Sequence, residues 1–67
     1  MTYRVKYFLD SLPSVHYRLL HALTPGTARE MLLANLAESG YTPTIVRIEH
    51  YERVNNRWEK DFEKFKN

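Results

Sequence analysis

The three histidines are the first residues in this chain that could support chemistry, because imidazole binds transition metals and exchanges protons near neutral pH. His16 and His21 are five positions apart, so they point to opposite faces of a strand and are poorly aligned on a helix. This spacing differs from the helical ligand pair of metalloenzymes, whose members lie about one turn apart. His50 could join either of them only through the fold. The sequence therefore predicts no metal site.

Other catalytic motifs are missing from the sequence. Gly26 and Gly40 are isolated, so the chain has no glycine-rich loop for a phosphate group. Acidic pairs such as Glu49 and Glu52 lie in highly charged segments, which we expect to be solvated and therefore unsuited to general acid catalysis. A domain of this size also has little room to bury a substrate. We expect the protein not to be an enzyme and to need no cofactor.

Cations and aromatic rings alternate with apolar residues in two segments, 2–10 and 44–54. If each apolar set faces a core, the other set lies on the opposite face of a sheet. Six members of that set could contact nucleic acid: Arg4, Lys6, Phe8, Arg47, Tyr51 and Arg53. Rings stack on bases and cations contact phosphates, as a platform for single-stranded nucleic acid requires. Because Glu49 would repel phosphate, nucleic-acid binding is our alternative hypothesis.

Aromatic residues near the C-terminus support the leading hypothesis. Trp58, Phe62 and Phe65 are spaced four and three apart, which places them on one face of a helix. Exposed rings mark protein contacts, and Phe8 and Tyr51 could extend the patch. If the helix instead folds back onto the sheet, these rings belong to the core. We expect a non-enzymatic protein-interaction module (an adaptor, an inhibitor or an accessory subunit of a larger assembly) whose protein partner the sequence does not identify.

The length of the chain limits it to one small domain, residues 1–67. A domain of this size buries roughly 60% of its unfolded surface, so its stability is marginal. The chain has no cysteine and therefore no disulfide, and a homodimer is one remaining way to supplement the core. A net charge of +2 is too weak to indicate nucleic acid by itself. The chain shows no signal-peptide pattern and no apolar run of membrane-spanning length, so we expect a cytoplasmic protein without membrane contacts.

The strands that must position these residues can be predicted in part. Residues 2–10 alternate as a strand does, and the set expected to face the core is Tyr3, Val5, Tyr7 and Leu9. Residues 44–54 read as a second such strand, with Val46 and Ile48 toward the core and Ile45 on the opposite face. Residues 12–23 fit either a strand or a helix. If they form a strand, the residues expected beside the cations are His16, Arg18 and Leu20.

The clearest helix follows a Thr-Pro-Gly turn. Thr27 and Glu30 have the spacing of a capping box, helix formers continue through Ser39, and Gly40 suits a left-handed C-terminal cap. The segment after residue 54 fits a short helix, although a hairpin turn into another strand is an alternative. These elements predict an α+β fold: an antiparallel sheet of two to three strands packed on a central helix, with a short C-terminal helix.

Overall fold

The computed structural model describes residues 1–10 and 12–63. Its elements are β1 (Thr2–Leu9), β2 (Leu12–His21), α1 (Pro25–Glu38), β3 (Pro43–Glu52) and β4 (Arg57–Glu63). The strands form one antiparallel sheet in the order β2-β1-β3-β4, and α1 packs on one of its faces. We call the other face, which no described element covers, the open face. The predicted α+β class is confirmed, but the sheet has four strands rather than two to three.

The core lies between α1 and the central strands. Alternate residues of β1 are buried toward α1, as the sequence predicts: Tyr3, Val5, Tyr7 and Leu9. The helix contributes Ala28, Leu32 and Leu36, whose spacing places them on one face. Val5 and Leu32 have no exposed surface. Because burying a side chain of this size contributes roughly 1.5–3 kcal/mol, these residues supply much of the free energy that holds the helix to the sheet.

The N-terminus of α1 lies before the predicted capping box. Thr24 is the N-cap residue, and its Oγ1 accepts a hydrogen bond from the Thr27 N–H at 3.1 Å. Pro25 follows in the first helical turn, where its missing N–H removes no intrahelical bond. The prediction that Thr27 caps the helix with Glu30 is therefore wrong, because Thr24 already occupies the cap position.

The helix α1 ends at Glu38, and Gly40 forms the predicted left-handed cap two residues later. Gly40 has a φ of +81°, a left-handed conformation that favours glycine. Its N–H donates to the Ala37 carbonyl at 3.0 Å, and the Tyr41 N–H donates to the Leu36 carbonyl at 2.9 Å. These bonds satisfy carbonyls that the end of a helix leaves free. No helix within residues 1–10 and 12–63 has the length and apolar character that a membrane crossing needs.

The ambiguous second segment is a strand, and its faces are the reverse of those predicted. Cross-strand partners share a sheet face, and the buried Tyr7 pairs with His16. His16, Arg18 and Leu20 therefore lie on the helix side, and their predicted place on the open face is wrong. The open face of β2 carries Val15, Tyr17 and Leu19. Alternation separates two sets of residues but does not identify the set that meets the helix.

A β-bulge in β3 reverses the predicted faces of Ile45 and Val46. The residues on either side of Val46 pair with successive residues of β1, Lys6 and Tyr7, so Val46 is the extra residue. Ile45 consequently joins Ile48 in the core cluster. Val46 is also buried, but it lies on the open face near Lys6. The prediction that Val46 faces the helix and Ile45 the open face is wrong, because strict alternation does not account for a bulge.

The C-terminal segment forms β4 rather than a helix. A turn with Asn56 at a φ of +52° joins it to β3, whose outer backbone groups would otherwise lack partners. A second bulge, at Asp61, leaves Trp58 on the open face and Phe62 on the helix side. The prediction of a single aromatic face is therefore wrong for these two residues. Phe65, the third residue of that prediction, lies outside the described residues.

Candidate functional site

The outer part of the open face is apolar and exposed. We call Val15, Tyr17 and Leu19, which follow one another along this face of β2, the apolar row. Tyr17 is 54% exposed and Leu19 is 61% exposed. Phe8 on β1 pairs with Val15 and extends the apolar surface toward the centre of the sheet. Contiguous apolar surface of this kind is typical of a contact site for another molecule.

The centre of the open face is charged but internally neutralised. Glu49 is buried there, with 7% of its surface exposed, so the expectation that it is solvated is wrong. Its Oε1 accepts a hydrogen bond from Arg4 Nε at 2.8 Å, and its Oε2 lies 3.7 Å from Arg47 Nη1. One carboxylate therefore serves two guanidinium groups, which is how a buried charge avoids a large desolvation cost.

Arg47 has a second carboxylate partner on β4. Its Nε donates to Glu63 Oε2 at 3.2 Å, and Lys60 Nζ lies 2.9 Å from Glu63 Oε1. Hydrogen bonds from Arg47 and then Lys60 lower the pKa of Glu63 from 4.5 to about 2. The same bond to Glu63 raises the pKa of the Arg47 guanidinium. Arg47 is therefore committed to two carboxylates on its own sheet.

The guanidinium group of Arg4 lies near two aromatic rings. The Arg4 guanidinium carbon lies 4.5 Å from the Trp58 ring centroid and 5.9 Å from that of Tyr17. Both distances fall within the range of cation–π attraction. Trp58 in turn packs edge-on against Tyr51, with 5.3 Å between ring centroids. The rings and cations of the open face therefore contact one another.

The structure brings together most of the residues predicted to bind nucleic acid. Five of the six lie on the open face: Arg4, Lys6, Phe8, Arg47 and Tyr51. Arg53 lies in the turn between β3 and β4, outside the paired strands. Of the residues predicted to contact protein, Phe8, Tyr51 and Trp58 share the open face, whereas Phe62 lies near Leu33 on the helix side.

Sequence reasoning missed the apolar row. The signal that could have found it is the alternation of apolar and polar residues from Val15 to Leu20. The sequence interpretation places the apolar set of this segment toward the core, because apolar residues are usually buried. Among the residues of β2, only Leu20 is buried on the helix side. Tyr17 and Leu19 lie on the open face and are exposed.

The histidines occupy three separate environments. His50 Nδ1 lies 2.7 Å from Asp61 Oδ2, and this hydrogen bond is the main reason that the pKa of His50 is raised. His16 stacks on Tyr7 with 5.4 Å between centroids, and its buried Nε2 has no described hydrogen-bond partner. His21 Nδ1 lies 3.1 Å from a threonine hydroxyl on β1. Within the described residues, no group of three or more His, Asp or Glu side chains is arranged to hold a metal ion.

The open face combines an exposed apolar row with charges that are paired on the same sheet. The apolar row offers exposed surface, while Glu49 and Glu63 neutralise the guanidinium groups of Arg4 and Arg47. Such a surface can bury apolar area against a partner without first breaking an ion pair. Comparisons of the chain with family models, curated proteins and solved structures find no match.

Proposed function

We propose that this protein is a small protein-interaction module whose contact surface is the open face, with the apolar row as its main contact. The observation that carries the proposal is the exposure of Tyr17 and Leu19 side by side on one strand. Aromatic and aliphatic side chains contribute most to a protein interface when a partner removes them from water. The proposed contact set is the apolar row with Phe8, Tyr51 and Trp58.

The partnered charges support a protein partner over a nucleic acid. Phosphate would have to compete with Glu49 for Arg4 and with both Glu49 and Glu63 for Arg47. Nucleic-acid affinity depends largely on free cations that can release counterions from phosphate. A protein partner that covers the apolar row leaves these ion pairs intact.

The test compares proteins retained by the immobilised wild-type chain and by a double variant, Tyr17→Ser with Leu19→Ser. We expect the double variant to keep its circular dichroism spectrum and to lose a protein that the wild type retains. The matched control is Leu23→Ser, because Leu23 is 91% exposed but lies after β2 and outside the row. If the wild type and the double variant retain the same proteins, the apolar row is not the contact surface.

Single-stranded nucleic acid is the second candidate for the open face. The observation in its favour is Lys6, which lies 6.0 Å from the Tyr17 ring centroid and has no ion-pair partner among the described residues. Its test is a titration with a mixed-sequence single strand at low and moderate salt. Affinity that falls with salt and is lost in Lys6→Ala would favour this candidate, because phosphate contacts release counterions. No change in the amide spectrum at low salt would eliminate it.

A further inference from the structure

The two edges of the sheet differ in their protection against pairing with another strand. β4 carries five charged residues among seven and contains a bulge, and both features discourage such pairing. β2 is ten residues long, and Arg18 is its one charged residue apart from the histidines. Its pairing with β1 is regular from Val15 to His21. Pro13 and the irregularity in register beside it protect only the start of β2, so the segment from Val15 to His21 is the less protected edge among the described residues.

The outward backbone groups of β2 belong to the residues of the apolar row and to His21. The Ala22 N–H donates to the Met1 carbonyl at 3.0 Å, so Ala22 directs its backbone groups toward β1. In an antiparallel pair, successive residues direct these groups alternately toward and away from the neighbour. Counting back from Ala22, the residues that direct their N–H and C=O away from β1 are Val15, Tyr17, Leu19 and His21.

We propose that a second copy of this chain pairs its β2 antiparallel to β2 of the first, around a two-fold axis at Tyr17. This inference rests on the proposed function for the apolar row alone, because the second copy contacts that row edge to edge and leaves Phe8, Tyr51 and Trp58 uncovered on the open face. The pairing joins the four strands of each copy into one continuous sheet with both helices on the same side. β2 of a second copy supplies the same row and the same backbone groups, which have no partner among the described residues, so pairing closes the β2 edge of each copy.

The register follows from the residues that face each other. With the axis at Tyr17, each Val15 lies opposite Leu19 of the other copy, and about six backbone hydrogen bonds form. On the helix side, His16 lies opposite Arg18. An axis one residue later would place Arg18 opposite itself, and like charges directly opposite each other are destabilising. The axis at Tyr17 therefore aligns apolar with apolar and separates the two guanidinium groups.

A single cysteine can test this register, because the chain contains none. Tyr17→Cys places two thiols across the axis, where paired Cα atoms are about 5.5 Å apart and a disulfide can form. We expect mild oxidation to yield a disulfide dimer with Tyr17→Cys and little dimer with Arg18→Cys or with Lys60→Cys on β4. Equal cross-linking of all three variants would overturn the proposal, because random collision would explain it.

The wild-type chain provides a second measurement that needs no substitution in the row. We expect a dimer by sedimentation, with the amides of Val15, Tyr17 and Leu19 exchanging roughly tenfold more slowly at high than at low protein concentration. Leu19→Lys should be monomeric, whereas Leu23→Lys should remain a dimer. A wild-type monomer whose row amides exchange at the same rate at every concentration overturns the proposal. If that monomer still retains another protein through the row, the proposed function stands and only its partner changes.

Discussion

The guanidinium carbon of Arg4 lies 4.5 Å from the centroid of the Trp58 ring, although β3 runs between their two strands. Glu49 on β3 holds this arrangement, because its carboxylate accepts a hydrogen bond from Arg4 Nε. Tyr51 supports the opposite side of the contact by packing edge-on against Trp58. The centre of the open face is thus a packed layer whose charges have partners. The apolar row beside it has no such cover from described residues.

The contact between Arg4 and Trp58 should be measurable as a coupling energy. In a double-mutant cycle with Arg4→Leu and Trp58→Leu, we expect about 0.5–1 kcal/mol of coupling in the free energy of unfolding, the size of a partly exposed cation–π pair. Urea unfolding of the four proteins measures it. The control cycle uses Lys6→Leu in place of the arginine change, because Lys6 lies beside Tyr17 instead. Equal coupling in the two cycles would show that the contact contributes nothing specific.

The parts of the fold that sequence reasoning predicted are those with one unambiguous pattern. β1 alternates without interruption, and Gly40 is a residue type that suits a left-handed cap. The bulges at Val46 and Asp61 could not be predicted, because an extra residue changes which side chains share a face without altering composition. The same limit explains the wrong prediction for Phe62. Its spacing from Trp58 fits one face of a helix, but the two residues lie on opposite faces of a strand that contains a bulge.

The candidate site was predictable on the central strands and not on the edge. Arg4 and Arg47 lie on one face because β1 and β3 pair directly, and both alternations were visible in the sequence. Tyr17 and Leu19 were not predicted to be exposed, because the orientation of an edge strand depends on its register with β1. That register shifts between Phe8 and Leu9, where Pro13 lies in β2, but a proline there does not by itself give the number of extra residues.

The pair formed by Glu63 and Arg47 should make stability depend on acidic pH. The pKa of Glu63 is lowered from 4.5 to about 2, chiefly by its hydrogen bond with Arg47. A carboxyl whose pKa is lowered by folding stabilises the folded state above its unfolded pKa, and this contribution is lost as the pH falls through the folded pKa. We therefore expect the free energy of unfolding to decrease between pH 4.5 and about 2.

The variant Glu63→Gln tests this dependence, because it keeps the shape of the side chain and removes the titration. Urea unfolding at several pH values should show a shallower decrease for the variant than for the wild type. Glu30→Gln is the control, since the Glu30 side chain on α1 is 72% exposed. Identical pH profiles for Glu63→Gln and the wild type would exclude a stabilising ion pair at this position.

His50 should titrate above its ordinary range. The pKa of His50 is raised from 6.5, first by its hydrogen bond with Asp61 and to a lesser extent by the charges of Asp61 and Glu59. A histidine whose pKa is raised by folding stabilises the folded state fully below pH 6.5, and the contribution is lost as the pH rises through the folded pKa. NMR titration of the His50 ring should show the larger decrease in pKa for Asp61→Asn and the smaller one for Glu59→Gln. A larger decrease in the pKa for Glu59→Gln would show that Glu59, and not Asp61, is the main cause of the raised pKa.

The N-terminus of α1 distinguishes the observed cap from the capping box that the sequence suggests. Thr24→Ala removes the oxygen that accepts the Thr27 N–H, so we expect a loss of about 1 kcal/mol in the free energy of unfolding. Thr27→Ala keeps that N–H and places a better helix former in the first turn, so its effect should be neutral or slightly stabilising. Thermal or urea unfolding of the two variants measures the difference directly. If Thr27→Ala is the more destabilising change, the helix begins at Thr27 and the cap at Thr24 is not formed in solution.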